Sequence, residues 1–154
     1  MTGRTRAACS LGAGLLSLGA LWLGLVASRL MLTAPDTRDR LIALGIAAGF
    51  VGTGLLLPWT GEALVDAGRS QSAIAAHLVV PLLGWRLDGS DPRPAHFMAA
   101  HLMQGLPVLA VALSRLNLVR AQSAAGVVLL LATAAGALLT LWLMPIGAVS
   151  GQAH

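Results

Sequence analysis

Apolar residues in this chain gather into four long stretches, about 7–32, 41–59, 94–113 and 123–146, and polar residues fill the three gaps between them. A helix needs roughly 20 apolar residues to cross the ~30 Å hydrocarbon layer of a bilayer, and each stretch meets that length or nearly so. The pattern predicts an all-α membrane protein: a single domain over 1–154 built as an up-down-up-down four-helix bundle with a long, partly helical interfacial connection between spans two and three. Composition agrees, since 56% of residues are hydrophobic and only 10% charged, far from the soluble norm.

The spans carry small residues at four-residue spacing: Ala20, Gly24 and Ser28 in the first, Gly45, Gly49 and Thr53 in the second, Ala132 and Gly136 in the fourth. Such faces let helix backbones approach closely, the main source of packing where lipid is as apolar as leucine. The first span exceeds the required length and is expected to tilt or protrude. It is read as a retained span, because its apolar run is too long for the core of a signal peptide. Pro58 is expected to end the second span, with Trp59 as an interfacial anchor, and Pro107 to kink the third.

Residues 60–94 form the longest connection. Ser70 or Ser72 is placed to cap a short helix reaching Val80, with Ala73, Ile74, His77 and Leu78 on its apolar side. The run from Leu78 to Trp85 is too short to span and reads as interfacial or partly re-entrant.

All ten basic residues are arginine, and they fall five on each side of the bilayer in a four-span layout. Arg4, Arg6, Arg69, Arg86 and Arg93 lie on the side of the long connection, and Arg29, Arg38, Arg40, Arg115 and Arg120 lie opposite. Discounting residues far from span ends places the short links in the cytoplasm and the long connection outside, while Arg4 and Arg6 argue the reverse. The arginines mark span ends and suggest no nucleic-acid partner. Cys9 is the only cysteine, which excludes an internal disulfide and a cysteine metal cluster.

Candidate chemistry concentrates where polar residues run into the third span, at Asp91, Arg93, His96, His101 and Gln104. His96 and His101 are five residues apart and so lie about 140° apart around a helix, too far to chelate one ion together. His101 shares a face with Gln104 and Phe97. Glu62, His77, Arg86 and Asp88 are available to fold over the same end. One reading makes this a structural polar cluster, in which Asp91, Arg93 and His96 cap and anchor the span while His101 and Gln104 bond to neighbouring helices. A second is a b-type haem or metal site using His77 with His96 or His101, with Gln104 beside it. Spans one, two and four hold no histidine, so axial ligands on facing spans are excluded. A third is proton or quinone handling by His101, Gln104 and an acidic partner. No Ser-His-Asp set, HExxH, phosphate loop or CxxC is present, so a standard enzyme finds no support.

Asp91, Arg93, His96, Phe97, His101, Gln104, Leu106 and Pro107 follow the pattern D-x-R-x-x-H-F-x-x-x-H-x-x-Q-x-L-P. In this the segment resembles the opening of the third span in small four-span bacterial membrane proteins of unassigned activity. Pro81-Leu82-Leu83-Gly84-Trp85 is similar to their lead-in. The resemblance covers about thirty residues, and the rest of the chain only in span layout. It implies a bacterial inner-membrane protein and brings no activity with it. Such relatives are expected to carry a Gly-His pair just after span two, whereas here Gly61 is followed by Glu62. Together these readings point to a non-enzymatic membrane subunit whose third-span polar cluster is structural or binds a partner or ligand, with small faces left over for association with itself or a larger complex.

Overall fold

The structure is a computed structural model and describes residues 3–67, 79–80, 83, 85–86, 91–115 and 122–144. It contains helices α1 (Gly3–Thr33), α2 (Thr37–Ala67), α3 (Arg93–Arg115) and α4 (Gln122–Trp142). Between α2 and α3 a short antiparallel ribbon pairs β1 (Val79–Val80) with β2 (Trp85–Arg86), Val79 opposite Arg86 and Val80 opposite Trp85. By length and composition 11–33, 37–65, 93–115 and 124–142 are each able to cross a membrane. The chain is an all-α, four-helix integral membrane protein.

α2 is the hub. It packs along α1 on one side and along α3 and α4 on the other, while α1 makes its extensive contacts with α2 alone. The small-residue faces explain this. A methyl group added to Gly45 would lie 2.5 Å from Ala110 Cβ and 2.9 Å from Leu106 O, and one on Gly49 would lie 2.7 Å from Leu102 O. The Gly45/Gly49/Thr53 face is therefore pressed onto the backbone of α3. On the other flank, a methyl at Gly24 would meet Val51 Cγ2 at 2.6 Å, and one at Gly54 would meet Leu21 Cγ at 2.8 Å. Ser17, Ala20, Gly24 and Ala27 of α1 are buried there, and the outward Leu15, Leu18, Trp22 and Leu25 are exposed, as suits lipid-facing positions. Leu102 fills a slot between Gly52 of α2 and Gly136 of α4. Leu41, Leu106, Ala110, Ala125 and Leu129 complete the core around it.

Three boundaries differ from the sequence reading. α2 does not stop at Pro58 but continues to Ala67. Pro58 removes only the one backbone bond to Gly54 C=O, and the turns beyond it are packed, with Ala63 buried and the buried Thr60 hydroxyl 3.3 Å from His96 Nδ1 of α3. Val79 and Val80 belong to the ribbon and not to a helix end. The rest of the helix expected from Ser70 or Ser72, with His77, lies outside the described residues. α4 ends at Trp142, and Pro145 and Ile146 are likewise outside them. In the short link between α1 and α2, Arg40 Nε donates to Ala34 O at 2.9 Å, placing a cation beside the carbonyl end of α1.

Candidate functional site

The sequence Asp91-Pro92-Arg93-Pro94 closes the start of α3 on itself. Asp91 sits at the N-cap, and Oδ1 of its buried carboxylate accepts the Arg93 backbone N–H at 3.0 Å. Prolines occupy two of the neighbouring positions, so two of the amide donors that a helix start usually leaves orphaned do not exist. The Arg93 guanidinium folds back onto the same carboxylate, with Nη2 2.7 Å from Oδ2 and Nε 2.8 Å from Oδ1. Asp91 is 6% exposed and Arg93 51%, so the pair spans the edge of the protein.

One turn further in, His96 is half-buried and turned toward the extension of α2. Its Nδ1 lies 3.3 Å from Thr60 Oγ1, and a methyl on Gly61 would touch Cε1 at 4.0 Å. The Thr60 hydroxyl has one proton and two carbonyls at shorter range, so with that proton committed to Leu56 or Leu57 its oxygen accepts from Nδ1–H of His96. Glu62, next to Gly61, is exposed.

The main crosslink within the bilayer is made by a residue that the sequence reading counted only as small. Thr53 Oγ1, 1% exposed, donates to Ala99 O at 2.8 Å and accepts from Met103 N–H at 3.1 Å. Those two groups are the ones an α-helix pairs with each other, so the α2 hydroxyl enters the α3 hydrogen-bond ladder. In the next turn Pro107 has no N–H to offer Met103 C=O. The remaining hydroxyls of Ser17, Ser28, Thr33, Ser114, Thr133 and Thr140 return to carbonyls of their own helices.

His101 and Gln104 do not bond to neighbouring helices. His101 is exposed, its Nδ1 lies 2.8 Å from Phe97 O of its own helix, and its ring stacks on Phe97 at 3.8 Å. Trp85 of β2 extends the stack, meeting Phe97 at 5.0 Å. A carbonyl only accepts, so Nδ1 is the donor in this bond, and in a neutral ring Nε2 is then an acceptor on this exposed side chain. Gln104 is exposed as well, and its side chain makes no hydrogen bond among the described residues. The reason is rotational: α3 buries Ala95, Ala99, Leu102, Leu106 and Ala110 against α2 and α4, and residues 97, 101, 104 and 108 lie on the opposite side.

His96 and His101 are thus engaged on different sides of α3, as their spacing requires. His77, the expected second ligand, is outside the described residues, as is Asp88. No group of three or more His, Cys, Asp or Glu gathers among the described residues. No protein-family model, curated protein or solved structure matches this chain.

Proposed function

We propose that the chain is a small multi-pass membrane subunit that binds a partner within the bilayer through the outer face of α3, and that it acts by association rather than by catalysis. The observation that carries this reading is the position of Gln104. α3 has 23 residues and so extends roughly 34 Å, and Gln104 stands midway between Arg93 and Arg115. In a membrane-crossing α3 an exposed carboxamide thereby lies near the bilayer midplane, where an unsatisfied amide costs roughly 2–7 kcal/mol. His101 lies one turn nearer the surface and offers a bare Nε2. Polar groups at such depth are favourable where something bonds to them, and among the described residues nothing bonds the Gln104 side chain.

The location that goes with this function is a bacterial inner membrane, following the resemblance of the Asp91–Pro107 segment. The connection between α2 and α3 is assigned to the periplasmic side on the arginines near span ends. Trp59, Trp85 and Trp142 then mark the outer interface.

The test places the photocrosslinking amino acid benzoylphenylalanine at Val108, 69% exposed on the same face, and at Val127, 53% exposed on α4. Irradiation of native membranes is expected to give a discrete protein adduct from position 108 and lipid adducts alone from position 127. Lipid adducts alone at both positions overturn the assembly reading.

A further inference from the structure

We propose that the partner is a second copy of this chain, paired through α3 about a two-fold axis along the membrane normal; this rests on the assembly reading above. With both copies in the one orientation assigned above, α3 helices paired about this axis run parallel and each depth meets itself. A face closes such a pair only if it is complementary to itself, and the hydrogen-bonding groups here meet that condition.

Gln104 carries both a donor amine and an acceptor carbonyl, so two copies at equal depth are able to exchange hydrogen bonds. The carboxamide has a second N–H. His101 lies three residues away on the same face, roughly 4.5 Å along the axis, and its Nε2 accepts. The remaining N–H of Gln104 from the second copy has that nitrogen within one turn. Both groups are held ready: the His101 ring is fixed by its bond to Phe97 O and by the Phe97 stack, and Trp85 backs the Phe97 ring. Pre-organised groups lose less freedom on association.

Shape agrees. Gly105, beside Gln104, is exposed, and a methyl added there would meet nothing within 4 Å. Its backbone is open to close approach by another helix, and Ala112, two turns on, is also small and exposed. By contrast Gly45, Gly49, Gly24, Gly54 and Gly136 are already filled by neighbours. The opposite face of α3 is occupied by α2 and α4, and α1 is docked on α2.

The experiment uses the full-length protein with Cys9→Ser, labelled for energy transfer and reconstituted in phosphatidylcholine/phosphatidylglycerol vesicles over a wide range of lipid dilution. A reversible dimer is expected, with Gln104→Leu raising its dissociation constant about tenfold or more, equivalent to roughly 1.4 kcal/mol. Gly105→Leu is expected to weaken it similarly through bulk, and neither change alters the thermal unfolding of the monomer, since neither position packs within the chain. Oxidation should join Val108→Cys into a disulfide dimer and leave Val127→Cys unjoined. A protein that stays monomeric at the highest density, or a dimer indifferent to both substitutions, or equal crosslinking at Val108 and Val127, overturns self-pairing. If the photoadduct at position 108 in native membranes contains a different protein while the purified chain is monomeric, self-pairing fails and the assembly reading stands. If no protein adduct forms at all, both fail.

Discussion

Gly49→Ala adds a single methyl where α2 lies directly against the backbone of α3, and the structure specifies what it meets. The new carbon would lie 2.7 Å from Leu102 O, 2.9 Å from Met103 Cα and 3.3 Å from Leu102 C. All three are backbone atoms, so no rotamer change relieves them. Ordinary carbon contacts begin near ~3.5 Å, and α2 and α3 have to separate by something like half an ångström or more. Overpacking of this kind costs about 1–3 kcal/mol. The separation also acts one turn away, where Thr53 holds Ala99 O and Met103 N–H at 2.8 and 3.1 Å. Losing that interhelical bridge adds roughly 0.6–1.7 kcal/mol, for a total of about 2–5 kcal/mol.

The assay is equilibrium unfolding in mixed micelles titrated with a denaturing detergent, followed by circular dichroism. Gly19→Ala and Gly126→Ala serve as the comparison, because a methyl there meets nothing within 4 Å. Their stability should be unchanged or slightly raised, alanine being the better helix former. If Gly49→Ala is as stable as Gly19→Ala, the α2/α3 contact through this glycine is refuted.

Three further outcomes follow from the same packing. Leu102→Ala empties the slot between Gly52 and Gly136 and should lose stability near the low end of about 2–5 kcal/mol, since unfolding within a micelle does not return leucine to water; a loss under ~0.5 kcal/mol would refute the slot. Thr53→Val removes both bridging bonds but lets Ala99 C=O and Met103 N–H pair directly, so the same titration should show a loss of no more than about 1 kcal/mol, and a loss of ~3 kcal/mol would contradict that compensation. Asp91→Ala should destabilise by about 1–2 kcal/mol through loss of the cap, and Asp91→Asn by less because asparagine still caps; equal losses would assign the effect to the Arg93 ion pair instead.

How much of this was legible in the sequence depends on which property each residue used. The four spans were plain, because length and apolarity alone decide them. The packing faces were legible too: spacing at Gly45, Gly49 and Thr53, or at Ala20, Gly24 and Ser28, needs only a helical period. The end of α2 was not, because a proline costs one backbone bond and the packing that offsets it is not local: beyond Pro58 the helix continues to Ala67 with Ala63 buried and Thr60 against His96 of α3. The Asp91 cap was expected, being local. Thr53 was placed on the right face for the wrong property. It had been grouped with glycine as small, and nothing local tells whether a threonine hydroxyl turns back to its own helix, as those of Thr133 and Thr140 do, or crosses to another.

That distinction also accounts for what His101 and Gln104 do. One of the three readings of the sequence gave the helix-to-helix bonds to them. Thr53 fills that role instead, since a short hydroxyl on a glycine-lined face can reach the α3 backbone at contact distance, whereas a longer side chain at the same place would hold the helices apart. The small inward Thr53 therefore ties α2 to α3 in the middle of the bundle, while His101 and Gln104 are left outside. If His101 and Gln104 served only cohesion within the chain, leucine at either position would lose nothing that the bundle uses. Keeping a polar side chain on the outer face of a membrane helix is favourable only against a bonding surface, and the pairing proposed through α3 would supply one.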